Sequence, residues 1–187
     1  MNKYQKIFDR HYFSNHHIEA MQSEAMLKEI FSKKHAVLFS NFLTLIMALN
    51  DELNANLAAD LSIKSISVLN DFLRATERRE IRQKTDKDVE NFLTFMEPFN
   101  NKLKWNISYL YLGSKPNSAI LGIDLPNMIT NITALITDDD EIAEKMRWSR
   151  ASYGREGSAD INIKSNARVS ELHACEIKHF LEDYVNN

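Results

Sequence analysis

The feature that most constrains the fold is an apolar run, HAVLFS at 35–40, which lies between two helical patterns. The segment before it, 17–34, has apolar residues at helical spacing: Ile18, Met21, Ala25, Met26 and Ile30. After the run, Ser40 and Asn41 give a turn and helix-cap signal, and FLTLIMALNDEL continues as an apolar helix. The order helix, buried strand, turn and helix is typical of α/β proteins, so the predicted fold class is α/β.

The second half of the chain continues this alternation. WNISYLYLG at 105–113, SAILGI at 118–123 and NITALIT at 131–137 are predicted strands because of their aromatic and β-branched content. A helix should follow, with Asp138 as its cap and Glu141 three residues later. A last helix is predicted from about 170 to 185, with Ile177, Phe180, Leu181 and Tyr184 on one face.

The middle of the chain differs from both ends. Residues 61–99 have a helical pattern, which a charged stretch at 77–88, ERREIRQKTDKD, interrupts. Because the charges of this stretch are mixed, a solvated surface is favoured over a nucleic-acid patch. The pattern therefore predicts a helix-rich middle segment.

Composition excludes several classes of partner. The chain has 187 residues, enough for one domain with a core, and a net charge of -3 creates no field that attracts nucleic acid. No apolar run approaches the roughly 20 residues of a membrane helix, so no membrane partner is predicted. One cysteine and the polar start MNKYQKIFDRHYF predict a cytoplasmic location.

Two groups of reactive side chains have simple structural explanations. The acidic run at 138–141 could bind a metal, but its place at a helix start favours capping, and no metal site is predicted. Cys175 could be a nucleophile, although a small, half-buried helix residue is the favoured interpretation.

Three segments, taken in order, resemble one family. They are YFSNHHIEAMQSEAMLKEIFSKKHAVLFSN at 12–41, ALITDDDEIAEKMRWSRASYGR at 134–155 and NARVSELHA at 166–174. Together they are similar to the pyridoxal-phosphate-dependent sugar aminotransferases of the DegT/DnrJ/EryC1/StrS family. The resemblance covers about half of the chain. It implies a single domain, 1–187, formed by part of the large domain of aminotransferase fold type I, without the C-terminal small domain.

The resemblance also implies an activity. A lysine of the family forms a Schiff base with the cofactor, and an amino group moves from an amino acid to a nucleotide-linked keto-sugar in polysaccharide or antigen biosynthesis. The active site of the family needs a dimer. The implied cofactor is pyridoxal phosphate, and the implied partner is a second copy or a full-length relative.

Cofactor-binding residues follow from the same resemblance. Ser40 and Asn41 match the turn that holds the cofactor phosphate, and Thr44 could supply a hydroxyl. Phe42 replaces the glycine of the family, which restricts the approach of a phosphate to the backbone. Asn166 matches a residue that reaches the phosphate in the partner subunit, and Arg168 is assigned to the substrate.

The catalytic lysine has two possible positions. YLYLGSKPNSAILG at 109–122 resembles the lysine segment of the family, with Lys115 as the Schiff-base lysine and Ser118 as a cofactor contact. A match counted backwards from ALITDDD without a gap places Leu125 there instead, and no Schiff base could then form. Lys115 before Pro116 would in that case be a surface turn residue.

Two departures from the family favour impaired activity. The strand that ends in an Asp-Ala pair, and the strands before it, have no counterpart, because 56–104 forms a diverged helical segment. The alternative function is therefore a non-catalytic interaction protein derived from the family. A partial sheet should leave strand edges unpaired and an apolar face uncovered, which would require a partner.

Overall fold

A computed structural model describes residues 4–10, 18–54, 56–59, 61–96, 109–112, 118–123, 132–151 and 167–186. The helices are α1 Gln5–Asp9, α2 Ile18–Ile30, α3 Phe42–Leu53, α4 Ile63–Ala75, α5 Asp86–Met96, α6 Asp140–Ala151 and α7 Glu171–Asn186. The strands are β1 His35–Phe39, β2 Leu57–Ala59, β3 Arg82–Gln83, β4 Tyr109–Leu112, β5 Ser118–Ile123 and β6 Ile132–Thr137.

The strands form one mixed sheet in the order β1-β6-β5-β4-β2-β3. β6 is antiparallel to β1 and β5, β4 is antiparallel to β5 and β2, and β2 is parallel to β3. It follows that β1, β2, β3 and β5 run in the same direction. The end of the sheet where these four strands finish is called the carboxyl end, and the end where they begin is called the amino end.

Helices cover both faces of the sheet. Ala36 and Leu38 of β1 lie in a core cluster with residues of α2 and α7, whereas Val37 and Phe39 lie in a second cluster with residues of α3, α4 and α6. This alternation is the period of two that a strand buried on both faces requires. The expected uncovered apolar face is therefore wrong for β1.

The outer edge of β1 is also satisfied near its carboxyl end. The backbone N–H of Leu38 donates to Glu24 Oε1 at 2.8 Å, and its carbonyl accepts from Arg150 Nη1 at 3.0 Å. Arg150 and Glu24 pair with each other, and their side chains are only 6% and 12% exposed. This buried ion pair occupies the backbone N–H and carbonyl of Leu38, two of the groups with which an incoming strand would pair.

The middle segment contains strands that the sequence did not predict. β2, α4 and β3 form a β-α-β unit with two parallel strands inside 56–104. β2 is the tripeptide LAA and β3 is the dipeptide RQ, so neither has the β-branched or alternating pattern that marks a strand. The diverged segment is thus helix-rich but not without sheet.

The start of α6 corrects a second prediction. Asp139, not Asp138, caps the helix, because its Oδ1 accepts from the N–H of Ile142 at 3.0 Å. Asp138 accepts from the N–H of Lys34 and from Lys33 Nζ, both at 3.0 Å.

Within the described residues, no helix is long and apolar enough to cross a membrane.

Candidate functional site at the carboxyl end of β1

The turn after β1 is built as a helix cap. Asn41 has extended backbone angles, and its Oδ1 accepts from the N–H of Thr44 at 2.9 Å. The Thr44 hydroxyl donates to the Asn41 carbonyl at 2.9 Å. Phe42 is half-buried and packs against the second core cluster. Asn41 and Thr44, two predicted cofactor contacts, therefore satisfy each other.

The predicted C-terminal motif meets this turn. The N–H of Ser40 donates to the carbonyl of Ala167 at 3.0 Å, which brings the residues before α7 next to the end of β1. Arg168 is half-buried beside this contact. Asn166 lies outside the described residues. The structure thus brings Ser40 and the backbone of Ala167 together within one chain, whereas the resemblance implied a contact of Asn166 with the partner subunit.

Positive charge accumulates beside this junction. Burial lowers the pKa of Arg150, the Glu24 carboxylate opposes that change, and the cations of Arg147 and Arg168 lower the pKa further. Arg168 is therefore close enough to Arg150 for their charges to repel. A half-buried cation next to a helix start could receive an anionic group.

Ser118 lies at the other end of the sheet. It is the first residue of β5, opposite Thr137, which in turn is opposite His35 at the start of β1. Its buried hydroxyl is hydrogen-bonded to Thr137 Oγ1 at 2.5 Å. Four residues of strand separate this level from Phe39, a distance of about 13 Å. The structure does not bring Ser118 together with Asn41.

Lys115 lies outside the described residues, but its flanking strands are described. Leu112 ends β4 opposite Leu57, and Ser118 begins β5, so both flanks lie at the amino end of the sheet. Residues 124–131 connect Ile123 to Ile132, which pair with each other at the carboxyl end. That connection includes Leu125 and contains no lysine in its sequence.

The three described helices that directly follow a strand at the carboxyl end each have a capped start. Asn41 caps α3, Ser62 caps α4 through the N–H of Ser65, and Asp88 accepts from the N–H of Thr85 before α5. Carboxyl ends of parallel strands are where α/β sheets bind ligands. Here the capping side chains already accept hydrogen bonds from backbone N–H groups at these helix starts, where a ligand could otherwise bind.

The start of α5 contains a carboxylate that the sequence did not assign to any role. Asp88 is 3% exposed and accepts two hydrogen bonds from Arg82 and two from Thr85. The hydrogen bond from Arg82, followed by those from Thr85, holds the pKa of Asp88 far below its usual range although burial opposes this. The spacing Thr-x-x-Asp is a capping-box variant that could have indicated the contact. Asp88 is thus a structural residue of the fold.

The sequence matches no protein-family model and no curated protein. Solved structures do match. DesV of S. venezuelae, solved in complex with a ketimine intermediate, superposes with a TM-score of 0.63 over 98% of this chain at 15% identity. Helicobacter pylori PseC, an aminotransferase involved in the biosynthesis of pseudoaminic acid, gives 0.59 over 100% at 14% identity.

A third structure, GDP-4-keto-6-deoxymannose-3-dehydratase with a trapped PLP-glutamate geminal diamine, gives a TM-score of 0.57 over 98% of this chain at 13% identity. The chain has part of the type I aminotransferase fold. It spans 61%, 64% and 65% of the lengths of DesV, PseC and the dehydratase.

The described residues do not fit pyridoxal phosphate in the way that the resemblance implied. A covalently held cofactor needs an amine near the turn that binds its phosphate. The flanks of Lys115 lie about 13 Å away along the strands from that turn. Lys84, which follows β3 at the carboxyl end, is separated from β1 by five strand spacings, or about 24 Å. Among the described residues, neither the flanks of Lys115 nor Lys84 lie at the turn after β1.

Proposed function

We propose that this chain is an impaired relative of the pyridoxal-phosphate-dependent sugar aminotransferases, which acts by association with itself or with a full-length relative. The location of that association would be the cytoplasm, and the process would be polysaccharide or antigen biosynthesis. Amino transfer to a nucleotide-linked keto-sugar would belong to the relative and not to this chain.

One observation carries this proposal. The sheet register puts both flanks of Lys115 at the amino end, whereas Ser40 and Asn41 lie at the carboxyl end. A nucleophilic amine must approach the reacting carbon to about 3–3.5 Å before it can attack. Residues 124–131, which connect Ile123 to Ile132 in the sequence, have no lysine. Both alignments of the lysine segment therefore favour a protein without turnover.

Two further observations support a retained binding role. The Ser40–Ala167 contact joins the two motifs within one chain, and Arg168 lies beside it. A nucleotide sugar would bind through Arg168 and would not react.

The test is spectroscopic. Purified protein is incubated with pyridoxal phosphate, treated with borohydride, digested and analysed for modified lysines by mass spectrometry. We expect no visible imine absorption beyond that of the Lys115→Ala variant, and no preferential labelling of Lys115. The Lys87→Ala variant, which removes an exposed lysine of α5, is the matched control for non-specific labelling.

The contradicting result is equally specific. An absorption band that persists in Lys87→Ala, disappears in Lys115→Ala and is fixed by borohydride on Lys115 would establish a cofactor lysine. The chain would then be a transaminase candidate, and the proposal of a non-catalytic protein would fail.

A further inference from the structure

His35, the first residue of β1, lies between a carboxylate and a guanidinium of α6. Its Nε2 is 2.7 Å from Asp140 Oδ1, and its Nδ1 is 3.2 Å from Arg147 Nη2. The two partners are seven residues apart, or about two turns, so they share one side of α6. Both ring nitrogens of His35 are therefore bound by side chains of the same helix.

These two contacts determine where the ring carries its proton. A guanidinium stays charged and has only donors, so Nδ1 of His35 must accept from Arg147 and carries no proton. The proton lies on Nε2, which donates to Asp140. That hydrogen bond is the largest cause that holds the pKa of Asp140 below its usual range, so the acceptor is a carboxylate. The ring is neutral in this arrangement.

A second proton on the ring is incompatible with the Arg147 contact. The charge of a histidine ordinarily changes between about pH 5 and 8. A proton at Nδ1 would turn the acceptor into a donor and place two cations at hydrogen-bond distance from each other. The Nε2 hydrogen bond to Asp140 would remain. The proton and Arg147 therefore compete for one lone pair of His35.

Arg147 has another carboxylate within reach on its own helix. Glu144 is exposed and lies three residues earlier, a spacing at which opposite charges pair on a helix surface. α3, which packs on the same face of the sheet, has Asp51 and Glu52 in its last turn, and Asp51 binds Arg78 at 2.6 Å. β6, the neighbouring strand, has no ionisable residue. The other charged groups near this side of α6 form these pairs: Lys34 with Asp140, Lys33 with Asp138 and Arg150 with Glu24.

We propose that His35 is a pH-sensitive holder of Arg147: the neutral ring binds the guanidinium through Nδ1, and protonation of that nitrogen releases Arg147 while Asp140 stays bound. On release, α6 loses one of its two side-chain contacts with His35. It keeps its contact farther along β1, where Arg150 donates to the carbonyl of Leu38. This device goes beyond the proposed function and does not depend on a cofactor.

The first experiment determines the tautomer by long-range proton–nitrogen NMR of the full chain at about pH 8, where histidine side chains are ordinarily neutral. We expect His35 to be protonated on Nε2 and unprotonated on Nδ1. His179 is the internal control, because its Nδ1 lies 2.9 Å from Glu182 Oε2 and must donate to that carboxylate. The two histidines should therefore show opposite tautomers. A proton on Nδ1 of His35 at this pH overturns the proposal.

The second experiment measures rotation of the Arg147 guanidinium by NMR at about pH 8 and about pH 5, the two sides of the histidine range. Loss of the hydrogen bond should speed the rotation about tenfold at the lower pH. Arg79, an exposed arginine, should show no such change. An equal rotation rate of Arg147 at both pH values overturns the proposal.

Two substitutions separate the proton from other effects of pH. His35→Asn keeps an oxygen acceptor near the position of Nδ1 that cannot be protonated, so Arg147 should stay held at both pH values. His35→Phe removes the acceptor, so Arg147 should rotate fast at both. The wild-type measurements decide the proposal even if a variant does not fold. None of these results bears on the labelling of Lys115.

Discussion

An arginine–carboxylate ion pair lies at each outer strand of the sheet, β1 and β3, but the two pairs differ in which parts of the chain they join. At β1, Arg150 and Glu24 come from α6 and α2, are 126 residues apart and bind the backbone of Leu38. At β3, Arg82 and Asp88 are six residues apart, and the carboxylate also caps the start of α5. The first pair joins distant parts of the chain, whereas the second completes a local turn.

The largest effect should come from Arg150→Leu. This change leaves the Glu24 carboxylate buried without its cation and removes the donor for the Leu38 carbonyl. Loss of one partner of a buried ion pair costs about 3–5 kcal/mol in free energy of unfolding. Urea unfolding followed by circular dichroism measures it.

The matched control adds Glu24→Gln to the same variant. Glutamine is neutral but keeps an oxygen that can accept from the Leu38 N–H, so the double variant should recover part of the stability. Equal stability of Arg150→Leu and wild type would mean that the Arg150–Glu24 pair at β1 does not stabilise the protein more than the Arg82–Asp88 pair at β3.

A smaller effect is expected for Asp88→Asn, about 1–3 kcal/mol, because the charged hydrogen bonds with Arg82 and the cap at Thr85 weaken. The pH dependence has a definite sign. The pKa of Asp88 is lowered on folding, so its contribution is complete above the unfolded pKa of about 4 and is lost as the pH falls further. The stability difference between wild type and Asp88→Asn should therefore shrink in acid.

The smallest effect should come from Arg82→Lys, about 1 kcal/mol or less. Lysine keeps the positive charge beside Asp88 but cannot form the two parallel bonds of a guanidinium. Thermal unfolding compares this variant with Arg79→Lys, which changes an exposed arginine just before β3. A larger loss from Arg82→Lys than from Arg150→Leu would reverse the ranking of the two strands.

The same contrast between local and distant contacts explains what the sequence could predict. The unit α2-β1-α3 follows from continuous helical and apolar patterns, and the structure confirms it at Ile18–Leu53. β2 and β3 have three and two residues, too few for any period, and they become strands only because their neighbours pair with them. Asp138 and Asp139 are both acceptable caps in sequence, and the contacts of Lys33 and Lys34 decide between them.

In the candidate site, too, local features could be predicted from the sequence and long-range contacts could not. The turn at Ser40–Asn41 could be located because a strand followed by a cap is a local signal. The contact of Ser40 with Ala167 within one chain was not predicted, because the resemblance assigned Asn166 to the partner subunit and no local pattern links residues so far apart. The end of the sheet at which β4 finishes and β5 begins, on either side of the Lys115 segment, depends on the antiparallel pairing of these strands, which no local pattern contains. The roles of Lys115 and Asn166 stay predictions.

The occupied edge of β1 also has a consequence for behaviour at high concentration. Proteins with a bare outer strand can polymerise by adding one strand after another, as fibrils do. The Arg150 guanidinium and the Glu24 carboxylate obstruct such growth where Leu38 would otherwise offer its amide and carbonyl. At high concentration we therefore expect no fibril growth by strand addition at β1. Variants that remove the Arg150 guanidinium or the Glu24 carboxylate should aggregate after a shorter lag.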